Sequence, residues 1–287
     1  MLELYTIFKQ VVSMELKQQI LNTELLSSQA AVWYLGQESM LVKVKDKYLL
    51  FDPYLSDYVD RVCSSEEIVW KRRYPVPVEP SELDFVDYVF LSHDHEDHCD
   101  PDTLTPFAAV NKKAKYFAPP NAKGTLNRCG IDDKDIFYCQ GGKEIVFDGI
   151  KVLPVPAAHE ELHYDAHGNF MELGYTVEIG GIRFFHSGDM CPYAEIDNYI
   201  TDCNVAMIAT NGRDAYRLAN GIEGNFNSSE AIDLALKMHA DILIPMHFDL
   251  YDVNSVPMGE LFDVMEKENK FIPAHIFMPG ERYIYMR

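Results

Sequence analysis

Positive charge is scarce in this chain: 25 Lys and Arg stand against 45 Asp and Glu over 287 residues, a formal net charge of -20. Such a surface repels polyanions, which argues against a long nucleic acid or an anionic membrane as partner. The acidity is spread out, with 16 basic against 24 acidic residues up to residue 150 and 9 against 21 after it. No detachable acidic tail accounts for it. The six cysteines (Cys63, Cys99, Cys129, Cys139, Cys191, Cys203) include no C-x-x-C pair, which argues against a zinc ribbon or a disulfide scaffold. No run approaches the roughly 20 apolar residues of a membrane span. The opening MLELYTIFKQVVSMELKQQIL interrupts its apolar residues with Glu, Lys and Gln, unlike a signal peptide. Short-period repeats and low-complexity segments are also missing. These absences predict a reduced, cytoplasmic protein without membrane attachment.

What is present is an ordinary globular composition, 47% hydrophobic and 24% charged. Residues 1–29 carry apolar side chains at helical spacing, among them Leu4, Ile7, Phe8, Val11, Leu16, Ile20 and Leu21, and read as a helical arm that packs on its own domain or mediates homo-oligomer formation. From Ala30 the texture changes to short strand-like runs: AVWYL, MLVKV, KYLLFDP and VDYVFLSH, then KYFAP, IFYC, EIVFDG and IKVLPVPAAH. The segment LGYTVEIGGIRFFHSGD turns at Gly180-Gly181, and NVAMIATNG, DILIPMH and a closing strand follow. Helices are expected over 102–110, 120–129, 228–240 and near 257–268. This order predicts a single α/β (α+β) domain over 30–287, with two sheets inside and helices outside. The Pro-rich stretch 74–80 reads as a surface loop, not a linker.

The strongest signal is His93-Asp94-His95-Glu96-Asp97-His98, directly after the apolar strand VDYVFLS. His93 and His95, two apart on an extended segment, point the same way, and the turn that follows brings Asp97 and His98 to a neighbouring position. Two adjacent metal sites follow naturally from one hexapeptide. Three further apolar runs end on donors: VLPVPAAH at His159, IRFFHSGD at Asp189 and DILIPMH at His247. Imidazole and carboxylate donors without a thiolate suit Zn2+, Mn2+ or Fe about equally. No nucleophile motif occurs. Asp97 is the expected acid–base residue, orienting the attacking water and passing a proton to the leaving oxygen.

H-x-H-x-D-H with downstream His, Asp and His in this order resembles the metallo-β-lactamase superfamily, a four-layer αβ/βα sandwich of two central mixed β-sheets flanked by helices. The match spans roughly residues 30–287. The resemblance implies one divalent ion on His93, His95 and His159, a second on Asp97, His98 and His247, and Asp189 between them. Asp52 matches a family aspartate that supports the site without ligating, and His186, three residues before Asp189, reads as a hydrogen-bonding neighbour. The AVWYLGQESMLVKV opening, the HSGDM segment and the IPMHFD ending look most like the L-ascorbate-6-phosphate lactonase group, which implies opening of a phosphorylated sugar-acid lactone, usually with manganese.

For a small phosphorylated substrate the expected contacts are Arg213 and Asn211, after the strand NVAMIATNG, and His163 in the loop after His159. Lys71-Arg72-Arg73 reads as a solvated face or a local phosphate patch. Cys99 and Cys191, each beside an expected ligand, read as buried and inert. Two rival functions stay open: a metal-dependent phosphodiesterase acting on a small phosphodiester, and a non-catalytic metal-binding regulatory protein.

Overall fold

The computed structural model describes residues 13–257 and 259–287. Its strands sort into two sheets because most have two apolar faces. In β1 (Gln29–Gly36), Ala30, Val32 and Tyr34 point one way and Ala31, Trp33 and Leu35 the other, all fully buried. A strand buried on both faces lies inside a layered stack.

The first sheet runs β13-β1-β2-β3-β4-β5-β6, with β2 Ser39–Val44, β3 Lys47–Phe51, β4 Tyr88–Phe90, β5 Lys115–Ala118, β6 Ile136–Tyr138 and β13 Arg282–Met286. Strands β13, β1, β2 and β3 pair antiparallel, and β3 to β6 pair parallel. The second sheet runs β12-β11-β10-β9-β8-β7, with β7 Ile145–Phe147, β8 Ile150–Pro156, β9 Leu173–Ile179, β10 Ile182–His186, β11 Val205–Ala209 and β12 Ile242–Met246. Both sheets are mixed, as expected.

Between the sheets lies a core that includes Val32, Val42, Phe51, Phe90, Phe117, Val152, Tyr175, Phe184 and Met207. The outer face of the first sheet is covered by the helix over residues 13–21 (α1), α3 (Pro101–Val110) and α4 (Lys123–Arg128). The outer face of the second is covered by α6 (Ser228–Lys237) and α7 (Glu260–Glu268), through residues such as Ile232, Ala235 and Leu261. Helices, sheet, sheet, helices make the four layers. Two five-residue helices, α2 (Tyr58–Val62) and α5 (Ala215–Ala219), are additions; they are too short to show a helical period in sequence.

Of the expected N-terminal helix, residues 1–12 lie outside the described residues. Within α1, Leu16 and Ile20 are four apart and share the buried face. Gln19 Oε1 accepts from the Trp33 indole at 2.8 Å. Lys43 Nζ donates to the carbonyl oxygens of Leu21 and Thr23 at 3.3 and 2.8 Å, satisfying acceptors at and just beyond the helix end. Helix α6 stops at Lys237, short of the expected residue 240, because His239 turns into the left-handed region at φ 46°. It begins on a capping box in which Asn227 and Glu230 serve each other's backbone N–H.

Strand direction positions the site. Parallel and antiparallel steps carry the C-terminal ends of β1, β3 and β4 to one edge of the first sheet, and those of β8, β10 and β12 to one edge of the second. These edges meet, as Leu173 N donates to Ser92 O at 2.9 Å and Tyr175 Oη to Leu91 O at 2.8 Å.

Candidate metal centre

All seven expected ligands converge at this shared edge. The loop after β4 supplies four of them. His98 N and Cys99 N both donate to His95 O, at 3.1 and 2.8 Å, closing a turn that separates His93 and His95 from Asp97 and His98. Ligand atoms of His93, His95 and His159 lie within 4.8 Å of one another, and so do those of Asp97, His98 and His247. Asp189 spans the two groups: Oδ2 is 3.4 Å from both His98 Nε2 and His159 Nε2, and Oδ1 is 3.5 Å from His247 Nε2.

Hydrogen bonds set which nitrogen each ring presents. Asp52, fully buried after β3, accepts from Ser92 N, from Ser92 Oγ and from His98 Nδ1, at 2.7, 2.6 and 2.9 Å. Having donated to Asp52, the Ser92 hydroxyl accepts from His93 Nδ1 at 2.8 Å. One carboxylate thereby orients two rings, and the buried Nε2 atoms of both His93 and His98 have no hydrogen-bond partner. Buried polar atoms without partners are costly; a divalent cation is the partner that fits two imidazole groups flanked by carboxylates.

His186 is hydrogen-bonded through both ring nitrogens. Its Nδ1 accepts from Gly188 N at 3.2 Å, so the proton is on Nε2, which donates to Glu38 O at 2.9 Å. With both nitrogens engaged, His186 has none to offer an ion, although it clusters with Glu38 and Asp52. Gly188 is required here: at φ 57° a Cβ would sit 2.6 Å from Ser92 Cβ, so only glycine lets the Asp189 turn close against the β4 end.

Backbone strain collects around the same cluster. Gln37, Asp52 and His247 all have positive φ, at 57°, 37° and 58°, without being glycine. Such conformations cost roughly 1–3 kcal/mol each and persist where surrounding structure holds them. His247 N is held by Gln37 O at 2.9 Å.

The electrostatics are those of a charge cluster. Burial alone would raise Asp97, but His98 and His247 beside it outweigh this and hold its carboxyl well below the usual range. Asp189 is likewise driven well down, against burial, by His247, His98 and His159. Burial works against a charged His98, yet Asp97 and Asp189 hold its pKa well above the usual value; His247 is raised in the same way, by Asp189 and Asp97. Burial lowers His93, and the neighbouring His98 and His95 lower it further.

Several contributors are not among the expected residues. Gln37 Nε2 donates to Asp97 Oδ2 at 2.8 Å and lies 3.0 Å from His247 Nε2. Asn225 Nδ2 donates to Asp189 Oδ1 at 3.0 Å. Glu223 Oε2 sits 3.1 Å from His159 Nε2. Glu38 is fully buried with neither carboxylate oxygen hydrogen-bonded, 3.8 Å from His98 Nδ1, and burial together with Asp189 pushes its pKa well up. Polar residues just past a strand end, as in GQES and FLSH, are the signal that could have found Gln37, Glu38 and Ser92. Asn225 and Glu223 lie in an irregular loop that carries no such signal.

The expected substrate contacts are placed elsewhere. Arg213 forks onto both Glu230 oxygens at 2.7 Å and donates to Asn225 O at 3.0 Å. Asn211 is buried behind the site, bonded to Asn254 and Asn225. His163 is half-exposed beside Glu172 at 3.4 Å. None of the three lines the cleft above the ligands. Arg217 is the buried arginine of this region, its Nε donating to Asp214 and its Nη1 to Asn211 O and Asn254. Cys99 and Cys191 are buried, and burial raises both thiols, Cys191 to about 11.

A cleft of about 380 Å³ opens over His95, Asp97, His159, Asp189 and His247. Two facing mixed sheets with a His/Asp donor cluster at their common edge are the architecture of the metallo-β-lactamase fold. The chain belongs to the beta-lactamase superfamily, whose domain model matches residues 47–248. It is similar to a UPF0173 metal-dependent hydrolase of Thermoplasma acidophilum, 26% identical over 72% of this chain and 78% of that protein. It is also similar to the N-acyl-phosphatidylethanolamine-hydrolyzing phospholipase D 1 of Caenorhabditis elegans, 25% identical over 84% of this chain and 68% of that one. The solved structure of Igni18, a metallo hydrolase from Ignicoccus hospitalis, shares the fold, with a TM-score of 0.64 at 17% identity over 90% of this chain and 99% of that one. No helix among the described residues is long and apolar enough to cross a membrane.

Proposed function

We propose that the chain hydrolyses a small ester or lactone with two divalent ions, the reaction implied by its resemblance to the L-ascorbate-6-phosphate lactonase group. The observation that supports it is the pair of interlocked donor triads at the floor of an open cleft, with buried imidazole nitrogens otherwise unpartnered. His93, His95 and His159 would hold one ion, Asp97, His98 and His247 the other, and Asp189 both. Bound there, Mn2+ or Zn2+ supplies an acidified water, its pKa lowered from about 16 toward 7, and a Lewis acid for the scissile oxygen.

The chain's own residues do the rest. Asp97 is ionised, with its side chain about a quarter exposed on the cleft side. It accepts the proton of the water that attacks the carbonyl carbon and returns that proton to the leaving oxygen as the carbon–oxygen bond breaks. Gln37 fixes the Asp97 carboxylate for this transfer, while Asn225 fixes Asp189. A small phosphodiester is the second reading, favoured by the likeness to a phospholipase D. Comparing kcat/KM for a γ-lactone, an aryl ester and bis-p-nitrophenyl phosphate on Mn2+- and Zn2+-loaded protein tests both. Turnover of the carbonyl substrates is expected. Turnover of the phosphodiester alone supports the second reading, and bound metal without any turnover favours a non-catalytic metal-binding protein.

A further inference from the structure

The walls of the cleft carry information that its floor does not. Among the described residues lining it there is no Lys or Arg. Its carboxylates beyond the ligands are Glu96 and Glu223, and its apolar wall is Val59, Ile68, Trp70 and Ile222. The nearby guanidinium groups are committed elsewhere. Arg213 is held by Glu230, Arg217 by Asp214 and Asn254, and Arg73 by Asp252. Arg72 lies over the Tyr54 ring and donates through Nη1 and Nε to the carbonyl oxygens of Ser56 and Tyr74, and its Nη2, buried without a hydrogen-bond partner, lies outside the cleft lining. The Lys71-Arg72-Arg73 cluster lines a separate depression, where Asp57, Asp60 and Asp102 match its charge.

Trp70 is set up as a wall. Its ring meets Tyr251 edge-on at 5.1 Å, its backbone N–H donates to Ser64 Oγ at 2.9 Å, and Ser64 Oγ in turn donates to Trp70 O at 3.1 Å. Tyr251 is itself fully buried and bonded to Tyr54 Oη at 2.6 Å. An aromatic ring fixed in this way presents apolar area at little entropic cost. A substrate bound on the ions must place its remote part between this wall and the rim carboxylates. A phosphate or sulfonate there loses water to like charge and finds no donor side chain of opposite sign. An alkyl or aryl group there buries apolar surface.

From this we infer that the cleft selects an uncharged substrate whose apolar arm packs on Ile68, Trp70 and Ile222, and discriminates against one with a remote anionic group, including the phosphorylated lactone that the family resemblance implies. The inference rests on the reading of the centre as a hydrolase, and the test separates the two.

Metal-loaded protein is assayed with phenyl acetate and with 4-acetoxybenzenesulfonate, whose sulfonate improves the leaving group and coordinates metal weakly. Phenyl acetate is expected to show at least a roughly tenfold higher kcat/KM, within the range a pocket mismatch produces. Equal or reversed values overturn the inference. A second readout is independent of turnover. The chain has two tryptophans, and Trp33 is fully buried on Gln19, away from the cleft. Intrinsic fluorescence titrated with benzyl methyl ketone and with its para-sulfonate therefore reports binding at Trp70. Tighter binding of the ketone without hydrolysis of either ester supports the specificity and sinks the ester reading of the centre. Tighter binding of the sulfonate sinks the specificity. In Trp70→Ala, KM for phenyl acetate should rise by about tenfold with kcat retained; an unchanged KM overturns the role of that wall.

Discussion

The two halves of the molecule build one centre in opposite ways. The first sheet delivers four candidate ligands from six consecutive residues, 93–98, on a loop closed by two hydrogen bonds to His95 O. The second sheet delivers His159, Asp189 and His247 singly, each just past the end of a different strand. In the first half the ligand geometry is local, set by one turn and oriented by Asp52. In the second it depends on strand register, on the Gly188 contact with Ser92 and on the strained backbone of His247. A local cluster tolerates changes elsewhere, whereas a distributed one transmits them. The loss of a distributed ligand that serves both triads should therefore be the most damaging.

The largest effect is expected for Asp189→Ala, which removes the contact common to both triads. Activity should fall by roughly 10⁴, the upper end of the range for a single acid–base group, and bound metal should drop at both positions by elemental analysis. If His95→Ala lowers metal content and rate equally, the contrast between the halves fails. Asp97→Asn should lower kcat by roughly 10² to 10³, with the ion on His93, His95 and His159 retained; full turnover would remove Asp97 from the chemistry. Asp52→Asn leaves every ligand in place but loosens two rings, so metal affinity should weaken by roughly 10- to 100-fold, measured by competition with a chelator.

The pH dependence of the metal-free protein follows from the charge cluster. Asp97 and Asp189 have depressed folded-state pKa values, so their stabilisation is present above about pH 4 and is lost as pH falls through those lower values. His98 and His247 are raised, so theirs is present below about pH 6.5 and is lost as pH rises through the folded values. The stabilisation these four groups give in EDTA should therefore be largest between about pH 4 and 6.5, with the lowered His93 opposing it toward the acid end. Added Mn2+ or Zn2+ should raise Tm more at pH 8 than at pH 6, because ligation needs neutral imidazole. A metal-induced gain independent of pH would show that these four groups do not bind it. The smallest effect belongs to Arg213→Ala, which removes a partly exposed ion pair with Glu230. About 0–1 kcal/mol of stability and an unchanged KM are expected; a large KM increase would return Arg213 to substrate binding.

Legibility followed the locality of each feature. Strands with two apolar faces were visible from AVWYL to DILIPMH because period and length suffice to find them. The H-x-H-x-D-H loop was visible because its donors are contiguous, and His159, Asp189 and His247 because each closes an apolar run. Position after a strand points Arg213 toward substrate. Whether a guanidinium faces ligand or carboxylate depends on α6, whose capping residue Glu230 captures it. Gln37 and Glu38 went unnoticed because a polar turn between two strands looks ordinary until both sheets close over it.

By itself the sequence determined the layer pattern, the donor types and the strand ends that carry them, since apolar periodicity and contiguous motifs are properties of the chain alone. Only the tertiary structure decided which donors share a triad, which nitrogen each ring presents and that, among the described residues, no Lys or Arg lines the cleft. Those are distances and orientations between segments far apart in the chain, and they come into being only when the two sheets meet at one edge.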